Sequence, residues 1–395
     1  MKILVVVASG LHIGFVGCYG NDWVVTPNLD RLAAESVVFD QHIAANPQPD
    51  AAVRIWQTGR YLLPMPGEIV LPTQAKHQER FSALKGNGVV CNELRLQVPR
   101  AETDSRKSRV VLSEVLERWT VQKNSLLQLE VEMLQHAEVT PEESPELYED
   151  DEDGEPVEEN EKEFQTRQQH YAAMVNRFDQ WLGRLLDEVE RVSRADAYFL
   201  LTTYSGHSLG EHSLLSPSWS HLHEEIIHIP LIIRLPRSAE AGRRVFALTQ
   251  PVDILPTLRE LFGLLPAAGH GQSLLPLLHG KTNRIRAYTC TGLQAGEHIQ
   301  WNLRSPEWSF HFPVQPPAGE NGREPLLYVW PDDRWEVNNL HQHHLEWAER
   351  LERTLHAFVE ATRAAGPFQP PPLPDFITRE EDAQKDESDP TEGGA

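Results

Sequence analysis

The sequence predicts an α/β fold, with a mostly parallel sheet flanked by helices, and three observations predict it. Met1-Lys2 leads into five strongly apolar residues, Ile3 to Val7, closed by Ala8-Ser9-Gly10, as in a strand buried within a parallel sheet. Between 165 and 193, Tyr171, Met174, Phe178, Trp181, Leu182, Leu185 and Val189 recur three or four residues apart, giving a helix with one apolar, core-facing side. Short apolar runs then alternate with helical stretches in the manner of βαβ units. A chain of 395 residues is long enough for one large domain with a smaller appendage.

In chain order, the first strand is Lys2 to Val7. A helix follows from Thr26-Pro27, where Thr can cap and Pro suits the first turn, to about Glu35. Val37 to Phe39 reads as a strand, Glu79 to Lys85 as a helix ended by Gly86-Asn87-Gly88, and Val89 to Leu94 as a strand. Leu127, Leu129, Val131 and Met133 alternate with Gln128, Glu130 and Glu132, which predicts a half-exposed strand. It leads into an acidic, flexible insert over 137–164. Beyond the 165–193 helix come a strand from Tyr198 to Thr203, a loop rich in Ser and His, and the run Ile229 to Pro236. Pro367 to Pro374 is proline-rich, and 366–395 reads as a disordered tail.

The formal charge of −22 is concentrated: residues 141–163 hold thirteen Asp/Glu against one Lys, and 375–395 hold eight against two basic residues. The rest is close to neutral, so neither nucleic acid nor an anionic membrane is an expected partner. Five apolar residues at the start are too few for a signal-peptide core, and no later run has the length of a membrane helix. Cys18, Cys91 and Cys290 are widely spaced, as reduced thiols are. The expected location is the cytoplasm.

Three runs near the start carry a resemblance: ILVVVASGLHIGFVGCYG (Ile3 to Gly20), TPNLDRLA (Thr26 to Ala33) and Thr58-Gly59-Arg60-Tyr61. Together they resemble the formylglycine-dependent sulfatases of the alkaline phosphatase superfamily. The likeness continues in order through IPLIIRLP (Ile229 to Pro236), QPVDILPTL (Gln250 to Leu258), GQSLLPLL (Gly271 to Leu278), and Leu327-Tyr328 with EVNNL (Glu336 to Leu340). It implies an alkaline-phosphatase-like α/β domain over 1–290, with a mixed, mostly parallel sheet, and a small C-terminal α+β subdomain over 291–365.

The family implies a formylglycine nucleophile, made from a cysteine, and a calcium ion held by carboxylates. At the matching positions this chain has Pro49 for the cysteine and Val53 for its arginine, Ser9 and Gly10 for the paired aspartates, Tyr204 and Ser205 for the second metal motif, and Trp219 for a lysine. Proline has no nucleophilic atom, and the remaining donors are neutral, so neither formylglycine nor a bound metal is expected. His12, His136, His207 and His221 remain as candidate pocket contacts. The expectation is a catalytically inactive homologue that binds an unidentified ligand or protein partner. The alternative is a sulfuric or phosphoric ester hydrolase with a metal site rebuilt around His207, His212, His221, His223 and His228.

Overall fold

The computed structural model describes all residues except 69–80, 97–104, 133–158, 194–195, 214–220, 267, 317–323 and 375–395. Residues 137–158 of the acidic insert, the end of the tail, His136 and Trp219 lie outside the described residues, whereas 159–164, expected to be flexible, are helical.

The chain begins with β1 (Lys2–Ala8), whose side chains from Ile3 onward are all buried. After it come α1 (Pro27–Ala34), β2 (Val37–Phe39), α2 (Pro49–Thr58), α3 (Ser82–Lys85), β3 (Val90–Leu96), α4 (Ser105–Val121), β4 (Ser125–Val131) and α5 (Glu159–Ser193). Then follow β5 (Tyr198–Thr202), α6 (Glu224–Ile227), β6 (Leu231–Arg234), β7 (Arg243–Val245), α7 (Ile254–Leu261) and α8 (Leu275–Leu278). The seven strands form one sheet in the order β3-β4-β1-β5-β6-β2-β7. All its pairings are parallel except those of β6, which runs antiparallel to both neighbours. Helices cover both faces, because alternate residues of β1 feed two different cores. Leu4 and Val6 pack with α1, α4 and α5, whereas Ile3, Val5 and Val7 pack with α2 and α7.

The remaining strands, β8 (Thr289–Ala295), β9 (His298–Arg304), β10 (Trp308–Gln315) and β11 (Leu326–Val329), make an antiparallel sheet in the order β11-β10-β9-β8. Helix α9 (Leu345–Arg363) packs its Leu351, Leu355, Phe358 and Val359 against it. This is the expected α+β subdomain, but it begins at Thr289, so a boundary at 290/291 would cut β8.

Three expectations need correction. Strand β4 is buried on both faces rather than half-exposed. It lies between β1 and β3, and its polar residues have partners: Gln128 donates to the Tyr204 hydroxyl at 3.2 Å, and Glu130 faces Arg95 at 3.6 Å. Thr26 does not cap α1; its Oγ1 accepts from Gly17 N–H at 3.0 Å. The cap is Asp179 of α5, which accepts from the N–H groups of Asn28 and Leu29 at 3.0 and 2.8 Å. Finally, the proline-rich stretch up to Pro374 is docked. Phe368 and Leu373 pack on the subdomain core, and the Tyr288 hydroxyl donates to the Pro371 carbonyl at 2.7 Å. Buried apolar side chains hold it there, which composition alone does not reveal.

Among the described residues, no helix is long and apolar enough to cross a membrane. The three cysteines are free thiols.

Candidate functional site

Ligands of α/β sheets gather at the carboxyl ends of parallel strands, and here β1 and β5, paired side by side, end in the residues singled out above. Gly10, at φ +83°, turns the chain away from β1 in a conformation only glycine adopts freely. Its N–H donates to Thr203 Oγ1 at 3.1 Å, and that hydroxyl donates to the Ser205 carbonyl at 2.9 Å. Ser9, Gly10, Tyr204 and Ser205 are thereby brought together. Helix α2 joins them through Trp56, whose ring meets Tyr204 edge-to-face at 5.7 Å.

The chemistry of this meeting point is that of a core. Ser9 is 1% and Tyr204 2% exposed. Tyr204, Trp56 and Ala52 share a hydrophobic cluster with Val5 and Val7, and Val53 packs against it. Pro49 occupies the first turn of α2, where its missing N–H costs no hydrogen bond. For a formylglycine and a calcium ion these residues are a poor fit: they offer two serine hydroxyls and a phenol, with no carboxylate and no oxidisable thiol.

His12 and His207 meet around a residue read from sequence only as part of a packing stripe. The Tyr171 hydroxyl donates to the Gly10 carbonyl at 2.6 Å and accepts from His12 N–H at 2.7 Å. Its ring stacks on His207 at 5.3 Å. His12 Nδ1 accepts from Gly14 N–H at 2.9 Å, which leaves the proton on Nε2, 3.5 Å from Glu211 Oε1. Burial, reinforced by His12, pushes His207 down to about 4. Burial would raise Glu211, but the His12 ring and the Leu209 N–H outweigh it and hold the carboxyl at about 2. His12 and His207 therefore brace the loops around Tyr171.

His221 belongs to a second group, at the junction with the C-terminal subdomain. The loop after β5 crosses α6 so closely that a Cβ on Gly206 would lie 1.9 Å from the Glu225 carbonyl oxygen. This brings His212 over His223, with rings stacked at 3.9 Å. His223 Nδ1 lies 2.7 Å from Glu336 Oε2, while Glu336 Oε1 faces Ser309, His311 and Arg304 at 2.6, 3.1 and 3.2 Å. Burial opposes charge on Glu336, yet the surrounding His311 and His223 hold its carboxyl well below the usual range. Arg304 also binds Glu224 at 2.8 Å, and Glu224 pairs with His228. Burial, with His223 and His212 nearby, pushes His221 down to about 3. It pushes Glu225, which beyond its own backbone N–H has no hydrogen-bond partner among the described residues, up to about 9.

Sequence reading missed Glu336, Arg304, His311 and Tyr171 as members of these groups. Glu336 stood in a recognisable run, but nothing in that run says that it reaches a histidine 113 positions earlier.

Comparison with known proteins agrees with this architecture. Residues 131–264, from the end of β4 through α7, match the family model described as Sulfatase. An N-acetylglucosamine-6-O-sulfatase of Bacteroides thetaiotaomicron is 34% identical over 123 residues, 30% of this chain but only 22% of that protein. The aligned stretch thus spans about a fifth of that relative's length. A protein solved in complex with its substrate D-glucosamine-2-N,6-O-disulfate superposes with a TM-score of 0.70 at 16% identity, covering 93% of this chain and 99% of the other. The phosphonate monoester hydrolase of Agrobacterium radiobacter gives 0.69 at 17% identity, covering 92% and 95%. Residues 131–264 therefore match a sulfatase family domain, with sulfatases among the chain's sequence relatives, on an α/β fold shared with a solved putative sulfatase.

Proposed function

We propose that this protein is a catalytically inactive member of the sulfatase family that works by binding rather than by turnover, without the family's formylglycine or calcium. The observation that carries the reading is the packing of Tyr204 on Trp56 at the ends of β1 and β5. By the sequence correspondence drawn above, this aromatic pair stands where ester hydrolysis would need a nucleophile and a cation. The nucleophile position, Pro49, has no side-chain heteroatom, and the metal positions, Ser9, Gly10, Tyr204 and Ser205, bring no carboxylate. Nothing in this arrangement stabilises charge developing on a sulfuryl or phosphoryl oxygen. The free thiols fit a reducing compartment such as the cytoplasm.

The test is an assay of the purified full chain on aryl sulfate, aryl phosphate and aryl phosphonate esters, with and without Zn, Mn or Ca. The expected result is no hydrolysis above the buffer rate. Turnover abolished by a chelator and by His207→Ala or His221→Ala would establish the alternative, a hydrolase with a rebuilt histidine site.

A further inference from the structure

We propose that the histidine–carboxylate cluster at the junction with the C-terminal subdomain is a binding site for one zinc-class divalent cation, held by His212, His223, Glu225 and Glu336. The site is separate from Ser9, Gly10, Pro49, Tyr204 and Ser205, and it takes only His212 and His223 from the histidines of the sequence-based alternative, joined by Glu225 and Glu336.

Two independent observations carry it. The first is convergence: His212, His223 and Glu336 each offer one ligand atom, and these atoms lie within 4.8 Å of one another. They come from three stretches of chain, the loop after β5, the residue before α6, and the turn after β11. The second is an unmatched carboxylate. Glu225 is 1% exposed, and beyond its own backbone N–H neither oxygen has a hydrogen-bond partner among the described residues. Its Oε2 lies 3.7 Å from His212 Nε2 and its Oε1 3.7 Å from His221 Nδ1. His221 Nδ1 already faces the His223 N–H at 3.4 Å as an acceptor, so it brings Glu225 no proton.

The distances suit a shared cation better than a direct contact. A separation of 3.7 Å is too long for a hydrogen bond. In a tetrahedral zinc site, with bonds of 2.0–2.2 Å, neighbouring ligand atoms sit about 3.3 Å apart. Closing His212, His223 and Glu336 around an ion therefore asks for up to about 1.5 Å of side-chain movement, and Glu225 joins them through its approach to His212. His212 can supply it, because its side chain is 19% exposed and at the rim, whereas the others are buried.

Charge points the same way. Glu224, Glu225 and Glu336 face two guanidinium groups, with Arg304 on Glu224 and Glu336 and Arg334 3.8 Å from Glu224. Glu225 pairs with neither guanidinium, and a carboxyl buried in this way ionises only when it is paired or bound to a metal. Two imidazoles and two carboxylates make an N2O2 set suited to zinc and its neighbours rather than to calcium or magnesium, which prefer all-oxygen shells. His311 and Ser309, both on Glu336, would orient that ligand from behind. A cation here would tie the loop after β5 and α6 to the C-terminal subdomain.

The test uses the full chain, stripped with a chelator and titrated with Co(II) and then Zn(II). The expected outcome is one equivalent of Co(II) giving visible ligand-field bands, displaced by Zn(II), with a rise in Tm on loading. His212→Ala, at the rim, and the near-isosteric Glu225→Gln should each weaken binding by 10-fold or more, while His207→Ala leaves it unchanged. Absence of saturable Co(II) binding overturns the proposal, as does binding that His212→Ala does not weaken. Calcium or magnesium bound in preference to zinc overturns it too. Ester hydrolysis by the loaded protein would instead overturn the inactive reading and leave the metal site standing.

Discussion

Tyr171 shows how much one hydroxyl decides in this molecule. It holds the turn after β1 by bonding the Gly10 carbonyl and the His12 N–H, and all three groups are buried. Replacing it with Phe keeps the ring and its stack on His207 but strands two backbone groups away from water. Each unsatisfied group costs roughly 1–3 kcal/mol, so Tyr171→Phe should destabilise the protein by about 3 kcal/mol. The check is equilibrium urea unfolding, with His207→Ala as the comparison. That variant loses the ring stack but keeps both bonds of the Tyr171 hydroxyl, and should cost less, about 1 kcal/mol. The period of the apolar stripe revealed that Tyr171 faces inward. It could not reveal that the hydroxyl lands on the turn 161 residues away, because helical spacing fixes a face and not the partner across it.

At the level of elements, the same division separates what was legible from what was not. Thr26-Pro27 marked the start of α1 correctly, since proline's fixed φ and missing N–H suit only a first turn. The groups that satisfy that turn's N–H donors, however, belong to Asp179 on α5, which accepts from Asn28 N, Leu29 N and Asn28 Nδ2. Asp179→Ala removes all three acceptances in a buried setting, and should cost about 2 kcal/mol and loosen α1 from α5. Hydrogen exchange at Asn28 and Leu29 would report the loosening directly, and unaltered protection there would refute the assignment. Helix α2 escaped reading because Pro49 and Val53 drew attention as replaced positions, although Pro49, Ala52 and Trp56 already carry a helix's start and apolar face. The burial of β4 was hidden for a different reason: alternation of polar and apolar residues normally means one wet face. Here Gln128 and Glu130 are satisfied by Tyr204 and Arg95, which sequence spacing does not place.

For the whole molecule, the order of motifs revealed the sheet and the C-terminal subdomain, but not the junction between them, where the buried histidines collect. That burial has a consequence for acid stability. Histidines held below their ordinary pKa include His42 at about 3, from burial with Arg286 and His228 nearby, and His207 at about 4, from burial beside His12 with Glu211 opposing. His270 is held at about 4, from burial with Arg60 nearby. Each has a lower pKa folded than unfolded, so between pH 6.5 and these values the unfolded chain binds more protons, and stability must fall as pH falls. Within the metal-free junction, His221 at about 3 acts in the same direction and Glu225 at about 9 in the opposite one, so the two offset each other in this window. His42, His207 and His270 are left without an offset, and His212, lowered by burial and by His223, adds in their direction. Each of the first three costs about 1.4 kcal/mol per pH unit below 6.5, or roughly 2 kcal/mol by pH 5. Urea midpoints measured on chelator-treated protein should therefore peak near pH 7, drop steeply between pH 6.5 and 5, and decline more gently from pH 7 towards 9, where the proton held by Glu225 is no longer offset. His42→Asn, at a fully buried ring whose Nδ1 meets Thr249 Oγ1 at 2.9 Å, should make the drop shallower by up to about a third, whatever it does to the midpoint at pH 7. A midpoint that stays level down to pH 5 would mean that these rings are already protonated in the folded protein.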